Sequence, residues 1–147
     1  EAAYDIYPLK NESRPAGLGR VGFLPAALTL EELAEKVKRS LKVSMVRVVG
    51  DRKKKVEKVA LCGGSGGDLI VFAREAGADV FVAGDIKYHQ AEEAASLGLA
   101  VIDAGHDATE APVVPWLASF LEERLAADGH RNKIYQSCLP TSYWEHV

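Results

Sequence analysis

The sequence predicts an α/β fold: a mixed, largely parallel sheet with helices on both faces. From Val56 onward, an apolar run, a glycine-bearing turn and a helical stretch recur three times in succession. The three runs, KVALC, DVFVAG and LAVIDAG, are nearly all apolar, the mark of strands buried on both faces. Crossovers between parallel strands are right-handed almost without exception, so three strands joined this way point in one direction.

Residues 1–50 read as a β-rich lead-in with one helix. Gly17, Gly19 and Gly22 punctuate GLGRVGFLP, which predicts a bent strand or bulged hairpin. Thr29 caps TLEELAEKVKRSL, where Leu30, Leu33, Val37 and Leu41 fall at helical spacing and Glu32 completes a capping box. VSMVRVVG predicts a strand with Val43, Met45, Arg47 and Val49 on one face. The basic run Arg52 to Lys55 lies between two strand-like stretches and predicts a solvated hairpin tip. Residues 56–127 hold the three β-turn-α units. KVALC leads through GGSGG into the helix DLIVFAREAG, DVFVAG leads into DIKYHQAEEAASLG, and LAVIDAG leads into a helix ending near WLASFLEERLAADG. In residues 128–147, KIYQSC predicts a final edge strand, followed by a tail.

At 147 residues the chain is one domain able to bury a core, and 48% hydrophobic composition sets it among globular proteins. A net charge of −3 gives no electrostatic case for nucleic acid. No apolar run approaches the roughly 20 residues a membrane helix needs. EAAYDIYPLK is not a secretory signal, and two cysteines are too few for a disulfide framework, so a cytoplasmic setting with reduced thiols is expected. A start at Glu1 rather than Met suggests a piece of something longer.

The turns CGGSGG, AGD and AGH follow the carboxyl ends of their strands, the edge where open α/β sheets place ligands. In AGHDATE, His106 precedes Glu110 by four residues, so on a helix the two share a face. Imidazole nitrogen and carboxylate oxygen together suit zinc, manganese or iron. A helix amino end would keep the imidazole neutral and able to coordinate. A second reading stands beside this one. Asp107 to Glu110 has capping-box spacing, Pro112 and Pro115 interrupt the helical pattern, and on spacing alone the cap is the commoner outcome. His89 lies about one helical turn past Asp85: either Asp85 or His89 faces the same mouth as an acid, base or substrate contact, or Asp85 caps the helix and His89 is a partly exposed surface residue. CGGSGG lacks the Gly-Lys-Ser/Thr of a P-loop and reads better as a tight turn than as a phosphate cradle. Cys62 is either a reactive thiol or, as is commoner at the end of a buried strand, an inert one, and Ser65 has no visible acid–base partner.

Taken together, YDIYPLKN, GLGRVGFL, KVALCGGSGG, ADVFVAGDIKYHQA and VIDAGHDATE resemble the carboxyl-terminal half of the Nif-three-like family, often labelled GTP cyclohydrolase I type 2. The resemblance runs in order along nearly the whole chain. It implies that His106 and Glu110 are ligands of a dinuclear centre of divalent metal ions (Zn, Mn or Fe) and that His89 lies near the metals. It also implies a homo-oligomer, commonly a hexameric ring, with the sites facing an internal cavity. Family members carry an amino-terminal half with an adjacent His-His pair and a further Asp ligand, and this chain has nothing corresponding. EAAYDIYPLK resembles the segment after a domain that some members insert between the halves. The expected function is thus that of a partial dinuclear metal-binding protein, a metal-dependent hydrolase of the GTP-cyclohydrolase label acting on a small molecule. The alternative is a metal-binding interaction or regulatory module without turnover.

Overall fold

The computed structural model describes residues 17–144. YDIYPLKN therefore lies outside the described residues, as does His146. The chain runs β1 (Arg20–Thr29), α1 (Leu30–Leu41), β2 (Arg47–Val49), β3 (Lys55–Ser65), α2 (Ile70–Glu75, entered through a 3₁₀ turn at Gly67–Leu69), β4 (Val80–Gly84), α3 (Tyr88–Ser96), β5 (Ala100–Asp103), α4 (His106–Glu110) and α5 (Val113–Ala127). The strands form one sheet in the order β1-β3-β4-β5-β2. Its centre, β3-β4-β5, is parallel, and β1 and β2 close the two edges antiparallel.

Alternation along the strands sorts the core into two layers. Val80, Ala100 and Ile102 face α1 through Leu30, Leu33 and Ala34. Phe81, Ala83 and Val101 face the other way, onto Ile70 and Ala73 of α2 and Ala94 of α3. Burying both faces explains why these strands are apolar throughout. The expected fold class is the observed one.

α1 starts as its sequence dictates. Glu32 N–H donates to the Thr29 hydroxyl at 3.1 Å, and Thr29 N–H donates to the Glu32 carboxylate at 2.7 Å. Two further amides of its first turn, Leu30 and Glu31, donate to the carbonyls of Lys54 and Arg52. The basic run is therefore not a hairpin tip. It is a connection between β2 and β3, which are not neighbours in the sheet, and its backbone caps α1.

Several local expectations are corrected. The strand in VSMVRVVG begins only at Arg47, because Lys42 ends α1 in the left-handed conformation and Val43 N–H is spent on the Lys38 carbonyl. GGSGG is only partly a turn, since β3 continues through Ser65. Between Leu61 and Ser65 it takes four steps against two on β4, Val82 to Gly84, so the strand bulges outward. The last predicted helix is two. α4 ends at Glu110, and α5 starts after Pro112 with Pro115 in its first turn, where a missing N–H costs nothing. KIYQSC forms no strand: β2 already occupies the sheet edge beside β5, β1 holds the other edge, and the tail runs exposed beyond α5.

Candidate metal site

Three chain segments meet at the carboxyl edge of the parallel strands. The first is the β3 bulge. Gly64 has φ +71°, a conformation open to glycine, and a Cβ there would stand 2.5 Å from Glu110 Oε1 and 3.1 Å from His106 Nε2. Its N–H donates to the Thr109 hydroxyl at 2.9 Å, which anchors the bulge to α4. The second segment is the end of β4, where a Cβ on Gly84 would come within 2.7 Å of the backbone of Gly105 and His106. The third is α4 itself, entered through Gly105 at φ +86°. Gly64 and Gly84 are thus required by close approach rather than by turn geometry alone.

On this frame His106 and Glu110 occupy the first and last positions of α4 and do share a face: His106 Nε2 lies 3.3 Å from Glu110 Oε1. Asp107 forms no side-chain cap, because the helix has already begun one residue before it. His106 Nδ1 is 2.8 Å from the Asp85 carboxylate. Asp85 therefore belongs to the mouth, as one of its two sequence readings held, and does not cap α3. It too is left-handed, with φ +55°. In the neutral ring, Nδ1–H donation to Asp85 leaves the lone pair on Nε2, the nitrogen that faces Glu110.

The electrostatics reverse one expectation. The hydrogen bond that His106 donates to Asp85 holds its pKa above the ordinary histidine value, desolvation opposes it, and the Glu110 charge adds to the rise. The two carboxylates favour the charged ring, so without a metal His106 holds its proton to higher pH than an ordinary histidine.

The donor set fits a divalent cation. A carboxylate behind the distal ring nitrogen is the usual arrangement for a metal-binding histidine. Two ligands about 2.1 Å from one ion at a near-tetrahedral angle are separated by about 3.4 Å, close to the spacing of this pair. The volume a Gly64 side chain would fill is left in front of both donors. Among the described residues no group of three or more His, Cys, Asp or Glu is placed to hold an ion. His89 is exposed in the first turn of α3, and no hydrogen bond or ion pair joins it to His106 or Glu110. Cys62 is half-buried, with its thiol beside the Gly63 carbonyl. The GGSGG amides of Gly64 and Gly66 are spent on Thr109 and on the Gly84 carbonyl, so no anion cradle forms. Sequence reasoning missed Thr109 and Asp103. A threonine inside a capping pattern, and an aspartate ending an apolar run, carry no sign of partners many residues away.

Fold and site together define an α/β protein whose polar side chains gather at the carboxyl edge of a mixed sheet. The chain belongs to the Duf34/NIF3 (NGG1p interacting factor 3) family, with the match running over residues 3–141. It is 46% identical over 107 residues to a Halalkalibacterium halodurans protein called GTP cyclohydrolase 1 type 2 homolog, covering 73% of this chain and 29% of that one. A Bacillus subtilis protein of the same name is 50% identical over 106 residues, with 72% and 28% covered. Among solved structures, a Bacillus cereus protein related to NIF3 superposes with a TM-score of 0.88 at 41% identity, covering 100% of this chain and 40% of its own. The chain thus spans less than a third of the length of these curated relatives. Among the described residues no helix is long and apolar enough to cross a membrane.

Proposed function

We propose that this chain supplies two ligands, His106 and Glu110, to a divalent metal centre that is dinuclear when complete, in a metal-dependent hydrolase. The observation that carries the reading is the 3.3 Å approach of His106 Nε2 to Glu110 Oε1, with the far ring nitrogen held by Asp85. Zinc, manganese and iron suit this donor pair. A bound divalent ion supplies Lewis acidity and a water of lowered pKa. The chain's own groups do the rest. Asp85 fixes the ring, Glu110 brings the negative charge, and the exposed His89 serves as the proton-transfer group for a small-molecule substrate. The name GTP cyclohydrolase 1 type 2 homolog, carried by two relatives, suggests a GTP-like substrate.

Two ligands fall short of the three protein ligands usual in a catalytic zinc site. We therefore propose that the remaining ligands come from polypeptide that packs against this edge, within a homo-oligomer, hexameric by family resemblance. The first half of α5 supports this, since Trp116, Leu117 and Phe120 are exposed, an apolar surface suited to burial in an assembly. The free thiols of Cys62 and Cys138 suit the cytoplasm.

A second reading, a metal-binding regulatory module without turnover, is favoured by the lack of a third ligand among the described residues. One experiment separates the two. Metal content is measured first, then hydrolysis of GTP and of simple phosphodiesters with manganese or zinc added, for this chain alone and joined to the remaining length found in its relatives. Turnover in the longer protein that is lost in His106→Ala supports the hydrolase. Bound metal without turnover leaves the module. No metal in either form sinks both.

A further inference from the structure

We infer that Asp103 is the positioning residue for the His106 imidazole, acting through the two backbone turns that carry Asp85 and His106 rather than by touching either side chain. Asp103 ends β5 and is the one buried charged side chain among the described residues, 6% exposed. One carboxylate oxygen accepts the Ile86 N–H at 3.1 Å, and the other accepts the Gly105 N–H at 3.0 Å. Ile86 follows Asp85, and Gly105 precedes His106. A single rigid group therefore ties together the two residues that flank the Asp85–His106 hydrogen bond.

Arg47 completes the clamp. It is the register partner of Asp103 across β2 and β5, its guanidinium pairs with the Asp103 carboxylate, and the same nitrogen donates to the Ile86 carbonyl at 2.9 Å. Both polar atoms of the Ile86 backbone are thus fixed. This matters because Asp85 is held at φ +55°, a conformation uncommon outside glycine that fixed neighbours help to maintain. A charge at the end of an otherwise apolar strand is costly to bury unless it is fully paired. Here every bond it makes runs to β2 or to the two turns at the site. The alternative is a plain structural staple with no bearing on the ring.

The two roles differ in what His106 does when Asp103 is changed and the fold survives. The test is the ¹⁵N NMR signature of the His106 imidazole in the metal-free 147-residue chain, at alkaline pH where the ring is neutral. The native chain should show the proton on Nδ1. In a folded Asp103→Asn variant the proton should redistribute toward Nε2, and zinc affinity should fall roughly 10–100-fold, the range for disturbed outer partners of a ligand. Asp85→Asn should give the same shift, and the double variant no further loss. An unchanged tautomer in folded Asp103→Asn, or losses that multiply in the double variant, overturns the proposal. Should Asp103→Asn fail to fold, Arg47→Lys keeps the charge but not the planar nitrogen that reaches Ile86. It should move the tautomer the same way by less, and no movement overturns the proposal. The zinc arm rests on the metal-site reading, whereas the tautomer arm does not. A native chain that binds no zinc therefore defeats that reading without deciding this one.

Discussion

His106 has a carboxylate at each ring nitrogen, and that pairing sets its chemistry. Because its folded pKa is raised, first by the Asp85 hydrogen bond, pairing stabilises the metal-free fold fully below the unfolded value of about 6.5. That contribution is lost as pH rises through the folded value. Proton and metal compete for Nε2, so zinc affinity should increase with pH over the same interval. An NMR titration of the metal-free chain should place His106 above about 6.5, and Asp85→Asn should bring it down. An unmoved titration in that variant would remove Asp85 as the cause. Gly64 gives a second residue-scale prediction. Gly64→Ala forces a Cβ to 2.5 Å from Glu110 Oε1 at a left-handed φ, so it should destabilise the fold by about 1–3 kcal/mol and weaken zinc binding together. Normal zinc affinity in Gly64→Ala would contradict the close approach. At this scale the sequence was legible where spacing alone decides geometry, as in the i to i+4 pair of His106 and Glu110. It was illegible at Asp103 and Thr109, whose partners come from other elements.

Elements whose ends are set by local chemistry were the easiest to read. The capping box of α1 is present as its residues imply, and Thr29→Ala should cost about 1 kcal/mol in a denaturant melt. The three central strands were legible from their unbroken apolar runs, and the break at Pro112 was visible as a helix interruption. The bulge in β3, the short β2 and the absent strand at KIYQSC were not, because pairing partners decide strand ends. Asp79, at the entry to β4, illustrates such pairing. Its carboxylate accepts the N–H groups of Glu57 and Lys58, each at 2.9 Å, and so joins the start of β3 to β4. Burial pushes its pKa up, but the two backbone hydrogen bonds and the charges of Lys54 and Arg74 together outweigh this and hold it below the usual carboxylate value. A depressed folded pKa stabilises above the unfolded value of about 3.9, and this is lost as pH falls through the folded value. Asp79→Asn should therefore lower stability at neutral pH and flatten its loss below about pH 4. Parallel acid-unfolding curves for the two proteins would contradict that role.

At the scale of the whole molecule, the sheet with helices on both faces was legible because strand composition and unit repetition agree. What surrounds it was not, since exposure of an apolar helix depends on what else packs there. The apolar first half of α5, in a chain spanning less than half the length of the curated relatives it matches, underlies the proposed assembly. Light scattering should give a mass above that of one chain, and Trp116→Glu with Phe120→Glu should reduce it to a single chain without loss of helix signal. A native monomer would contradict the homo-oligomer. If His106 and Glu110 act as one ligand pair, calorimetric zinc titration of the metal-free chain will register both. Binding should be weak and saturable, and should be lost in both His106→Ala and Glu110→Gln while the fold persists. Zinc bound equally well by all three proteins, or by none, would contradict that pairing.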